Sequence, residues 1–91
     1  MASSPNKDPA FEDKLEINEN LYNSFLQNID SIKEVIDNSE QTYERTNDER
    51  IKEISDRTIK TAKKYLTELE KREPQVTKQY KETKRKIESL R

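Results

Sequence analysis

The stretch FEDKLEINENLYNSFLQNIDSIKEVIDNSEQTYERT, residues 11 to 46, decides the fold. At alternating intervals of four and three it carries Phe11, Leu15, Asn18, Tyr22, Phe25, Ile29, Ile32, Ile36, Ser39, Tyr43 and Thr46, and eight of these eleven are large and apolar or aromatic. A mean spacing of about 3.5 residues puts them on one face of an α-helix, whereas a strand would need alternation at every second residue. Leu21 and Val35 flank the stripe on one side and Leu26 on the other, so the apolar face is wider than a two-stranded seam requires and is expected to meet more than one neighbour. Upstream, Asp8 followed by Pro9 fits a capping residue and a proline at the first helical position, where its missing N–H is no loss. Helix one is therefore expected over about residues 9 to 46, preceded by a polar, proline-broken and disordered tail over residues 1 to 8.

Continuing the register past Thr46 would place Arg50 and Glu53 on the stripe, but the apolar residues fall at Ile51 and Ile54, a shift of one. Thr46 three residues before Glu49 reads as a capping box that opens a second helix, with Asn47 available for a left-handed turn conformation. One long helix with a local stutter is the competing reading, since the break holds neither Gly nor Pro. The second arm, about residues 48 to 91, carries Ile51, Ile54, Thr58, Ala62, Tyr65, Leu69, Val76, Tyr80, Thr83, Ile87 and Leu90. Pro74 lies inside it, where a proline removes a backbone hydrogen bond and crowds the carbonyl of Glu70, so a kink or break is expected near residues 73–74. At 1.5 Å per residue the arms would be about 55 and 65 Å long, matched for folding back on each other. The expected fold is all-α, an antiparallel, coiled-coil-like helical hairpin over residues 9 to 91 with a Pro74 kink; a three-helix bundle is the alternative.

Composition narrows the chemistry. Of 91 residues 41% are charged, and Gly, Cys, His and Trp are all absent. Lacking Cys and His, the chain has no thiolate or imidazole for a zinc site, a catalytic triad or a disulfide. Lacking Gly, it has no phosphate-cradling loop, and no EF-hand spacing occurs. Carboxylates are plentiful, but acid–base catalysis needs a desolvated pocket that two thin helices do not build. We expect no enzyme activity, no cofactor and no small-molecule substrate. Apolar runs are far shorter than the ~20 residues of a membrane span and nothing resembles a signal peptide, so a soluble cytoplasmic protein is expected.

Charge is unevenly spread. Residues 1 to 56 hold 14 acidic and 6 basic side chains, and residues 57 to 91 hold 5 and 12, giving −8 and +7. Folding back, or antiparallel pairing with another copy, sets one sign against the other. The second arm has acid-to-base pairs four residues apart, Asp48 with Lys52, Glu53 with Arg57, Asp56 with Lys60, Glu68 with Arg72 and Glu82 with Lys86, each worth ~0.3–0.5 kcal/mol. The first arm has none in that order, and its compensation must come from outside itself.

Heptad layout and composition over residues 11 to 91 resemble small all-helical subunits of multi-protein assemblies, namely the N-terminal bundles of syntaxin-type SNAREs and the short coiled-coil subunits of complexes in lysosome-related organelle biogenesis. This resemblance implies a membrane-trafficking complex subunit as one setting. From the residues themselves, the expected function is a non-catalytic protein–protein interaction or scaffolding module, a coiled-coil subunit or adaptor. Phe11, Leu15, Tyr22, Phe25, Ile29, Ile32 and Ile36 would bury against its own second arm and against partner helices, or against another copy. The alternative is an anion binder using Lys78, Lys81, Lys84, Arg85 and Lys86 on nucleic acid or an acidic membrane, weakened by the interspersed Glu82 and Glu88.

Overall fold

The computed structural model describes residues 9–90, almost all of them in two helices, α1 (Pro9–Arg45) and α2 (Glu49–Ser89). The tail at 1 to 8, the cap at Asp8 and the basic Arg91 lie outside the described residues. The helices pack against each other as an antiparallel all-α hairpin. Neither the three-helix bundle nor the single long helix occurs, because α2 stays helical through Pro74 and the helical run stops at residues 46–48. A proline in a helix interior costs ~3 kcal/mol, but the apolar phase is kept across it. Leu69 before it is buried and Val76 after it half-buried, and covering two such side chains returns about as much or more.

The turn is built differently from the expected capping box. Asp48 is the cap: its Oδ1 accepts from the amides of Arg50 at 2.9 Å and Ile51 at 3.4 Å, and its carbonyl accepts from Lys52 N–H at 3.0 Å. Thr46 Oγ1 accepts from Asp48 N–H at 3.1 Å, pinning the turn just before the cap. Among the described residues none has positive φ, so Asn47 is not left-handed. Asp48 wins over Thr46 because a carboxylate accepts two amides at the positive end of a helix dipole, where a neutral hydroxyl accepts less strongly. Asp48→Ala is expected to lower the hairpin's stability by ~1 kcal/mol in urea unfolding, with Asp48→Asn recovering most of it.

The residues divide into two compact units. One joins the start of α1, through Phe25, to α2 from Glu73 onward; the other is Leu26–Arg72, which contains the turn.

In the first unit Phe11 and Ile87 are buried, and Leu15, Phe25 and Val76 are half-buried. Between them the seam is polar but satisfied. Asn18 Nδ2 donates to the carbonyl of Tyr80 at 3.2 Å, and the hydroxyls of Tyr22 and Thr77 are 3.0 Å apart. The rings of Tyr22 and Tyr80 stack with centroids 4.3 Å apart and planes 12° apart. These directional contacts fix which residues face each other, which an all-Leu seam would leave open. Tyr22→Phe keeps the ring stack but strands the Thr77 hydroxyl, and is expected to cost ~0.5–1.5 kcal/mol in thermal melts. Thr83 and Leu90, expected on the stripe, are exposed.

In Leu26–Arg72 the core is Ile29, Ile36 and Leu69, with Leu26, Ile32, Ile59, Ala62 and Leu66 half-buried and the polar Ser55 buried as well. Here the seam of α2 differs from the expected stripe: it runs Ser55, Ile59, Ala62, Leu66, Leu69, whereas Ile51, Ile54 and Tyr65 are exposed. Two adjacent lanes of α2 carry apolar residues and only one can face α1. Leu66 and Ile59 gain more by leaving water than Tyr65 and Thr58, whose hydroxyls are well solvated. Ile51 and Ile54, on the losing lane, stay uncovered.

Two of the expected ion pairs form, Glu53–Arg57 at 3.5 Å and Asp56–Lys60 at 3.0 Å. Glu68 meets Lys71 at 3.8 Å rather than Arg72, and Asp48 is engaged as the cap while Lys52 lies 5.7 Å from the centre of the Tyr43 ring. The compensation α1 lacks within itself comes across the seam, where Lys63 reaches Glu40 at 3.6 Å.

Candidate interaction surface

The seven residues expected to bind a partner lie on one face of α1: Phe11, Ile29 and Ile36 are buried and Leu15, Tyr22, Phe25 and Ile32 half-buried. Their cover is the chain's own second helix, so this stripe is largely spent inside the hairpin. The side chains left over lie beside it. On the flank of α1 away from Leu26, Leu21 is 67% exposed and Val35 45%, and Ile17, outside the expected stripe, is 58% exposed.

Within Leu26–Arg72 the two edges of the hairpin have opposite character. One edge is charged and carries the cross-helix pair of Glu40 and Lys63. On the other, where the nearest cations are Arg57 and Arg45 at the groove walls, the lane beside the seam carries no charged residue on either helix: Asn28, Ser31, Val35, Asn38 and Thr42 on α1, and Ile51, Ile54, Thr58, Thr61 and Tyr65 on α2. These are intervals of three and four, one helical lane each. All are exposed except Thr58, which is half-buried.

The lane is concave. A groove of about 400 Å³ is lined by Ile32, Val35, Arg57, Thr58, Thr61, Ala62 and Tyr65. Toward the turn a second, of about 470 Å³, is lined by Asn38, Gln41, Thr42, Arg45, Thr46 and Ile51. The lining of the first mixes the small Thr58, Thr61 and Ala62 with the bulkier Val35 and Tyr65, side chains of the sizes that interdigitate between packed helices. Stripe-seeking along α2 finds Ile51, Ile54 and Tyr65 but assigns them to the internal seam. The signal that separates them is the missing charge of both lanes in a chain that is 41% charged.

The five candidate anion-binding cations do not converge. Lys78, Lys81, Arg85 and Lys86 are exposed, and Lys84 is half-buried with its ammonium 5.9 Å from the centre of the Tyr80 ring. At 100° per residue they spread over roughly 200° of the helix circumference. Among the described residues no group of three or more acidic side chains is placed to hold a metal ion, and no helix is long and apolar enough to cross a membrane. Compared with protein-family models, with curated proteins and with solved structures, the chain has no significant match.

Proposed function

We propose that this chain is a non-catalytic protein–protein interaction module, a coiled-coil subunit or adaptor of a larger assembly that works in the cytoplasm. The observation that carries this reading is the exposed Val35 and Tyr65 at one predominantly apolar groove, with Ile51 and Ile54 also exposed on the same lane of α2 as Tyr65. Exposed apolar side chains gathered at a groove are a feature of interaction sites. A partner helix laid along the edge would complete a bundle, its side chains entering between Val35 and Tyr65. Anion binding through the C-terminal cations has weaker support, because a phosphate needs several cations on one side of the helix.

Photo-crosslinking in cells tests the reading. A benzophenone side chain at position 54 or 61 is expected to form adducts with a polypeptide, whereas one at position 33, on the charged edge, is expected to form few. Absence of adducts at 54 and 61, or equal yields at all three positions, overturns it.

A further inference from the structure

We infer that Tyr22 and Tyr80 form an oxidative cross-linking site: under a one-electron oxidant, a peroxidase with hydrogen peroxide, their rings couple to a dityrosine that ties α1 to α2.

The stack carries the inference. The ring centroids are 4.3 Å apart and the planes 12° from parallel, so the face of one phenol lies against the face of the other. The unpaired electron of a phenoxyl radical occupies orbitals perpendicular to the ring, with much of its density on the carbons ortho to the oxygen. Rings stacked face to face therefore present to each other the lobes that must overlap. In the coupled product the ring centres lie about as far apart as they already do, so the bond needs rotation of the rings and no separation of the helices. Contact held by the fold also removes the search for a second radical, which limits coupling between free molecules.

The surroundings hold the pair and set the route. Both residues are half-buried, confined by the seam yet within reach of a small oxidant. The Tyr22 hydroxyl lies 3.0 Å from Thr77 Oγ1, which fixes one ring, and Asn18 Nδ2 donates at 3.2 Å to the carbonyl of Tyr80, which fixes the backbone carrying the other. The Lys84 ammonium, 5.9 Å from the centre of the Tyr80 ring, opposes positive charge there, so the electron leaves together with the phenolic proton.

Each tyrosine loses one electron and its hydroxyl proton to give a neutral phenoxyl radical, and the two unpaired electrons form one carbon–carbon bond between ortho carbons. The hydrogens on those carbons then move to the phenolic oxygens, which restores both aromatic rings. Two electrons and two protons are lost in all, and they reduce hydrogen peroxide to two waters. Tyr43 and Tyr65, 42% and 55% exposed, belong to the other unit, and their radicals couple on collision with another chain. The Tyr22–Tyr80 bond closes a loop that runs through the turn, which restricts the unfolded chain and stabilises the hairpin.

Peroxidase and hydrogen peroxide acting on the dilute full chain are expected to give dityrosine fluorescence in a species with the monomer's mass less two hydrogens. Its tryptic digest is expected to contain the Tyr22 and Tyr80 peptides joined. Tyr22→Phe and Tyr80→Phe each abolish this species, whereas Tyr43→Phe with Tyr65→Phe leaves it. Wild-type chain unfolded in urea forms it in a yield lower by roughly tenfold or more, a comparison that needs no variant to fold. Once linked, the chain unfolds at a higher urea midpoint than the free chain. Absence of an intramolecular link, joined peptides other than these two, an equal yield in urea or an unchanged midpoint overturns the site.

Discussion

Ile29→Asp is expected to abolish the cooperative thermal transition and remove most of the helical circular dichroism at 25 °C. Ile29 is 4% exposed, the most covered of the five buried apolar side chains in the described residues. Replacing it forfeits ~1.5–3 kcal/mol of burial and places a carboxylate in an apolar seam, at several kcal/mol more unless the helices separate. It also adds a negative charge beside Asp30 on a helix already acidic. A domain of this size holds roughly 3–5 kcal/mol of stability, so the loss exceeds what is available. Leu21→Asp is the control: at 67% exposure it is expected to change stability by less than about 0.5 kcal/mol. If both variants melt alike, the seam of α1 is misassigned.

Leu69→Ala is expected to lower stability by ~2–4 kcal/mol, the usual range for removing a buried Leu side chain when its surroundings relax only partly. Tyr65→Ala, one turn earlier on the same helix, is expected to cost less than about 1 kcal/mol when measured at low micromolar concentration. Urea unfolding with an unchanged slope separates these from effects on the unfolded chain. The comparison tests the register of α2 directly, because Tyr65 and Leu69 would behave alike if the stripe through Ile54, Tyr65 and Leu69 faced α1. A large loss for Tyr65→Ala in dilute solution would place the seam on that stripe.

The two helices differ in how far they could be read. On α1 one lane is apolar or aromatic at every position but Asn18 from Phe11 to Ile36, and every expected position from Phe11 to Ser39 is at least half-buried. On α2 two neighbouring lanes compete, sharing Ala62 and Leu69, and propensity does not distinguish them. What separates them is the area each buries against α1, a property of the pair. The turn shows the same division. The phase shift between Thr46 and Ile51 located it, whereas the choice of Asp48 over Thr46 as the cap depends on which oxygen the folded turn aims at the free amides.

By itself, the order of residues determined that this chain is helical, where the apolar register shifts, and that one arm is acidic and the other basic. Helical periodicity, the phase shift and charge are all local or additive, so they are legible residue by residue. Only the tertiary structure decided that the register shift is a turn between two helices, which lane of α2 is buried, that Asn18, Tyr22, Thr77 and Tyr80 engage across the seam, and that Val35, Ile54 and Tyr65 stay exposed. Those outcomes depend on which surfaces of two helices cover each other, and a residue's fate there is set by the partner it meets.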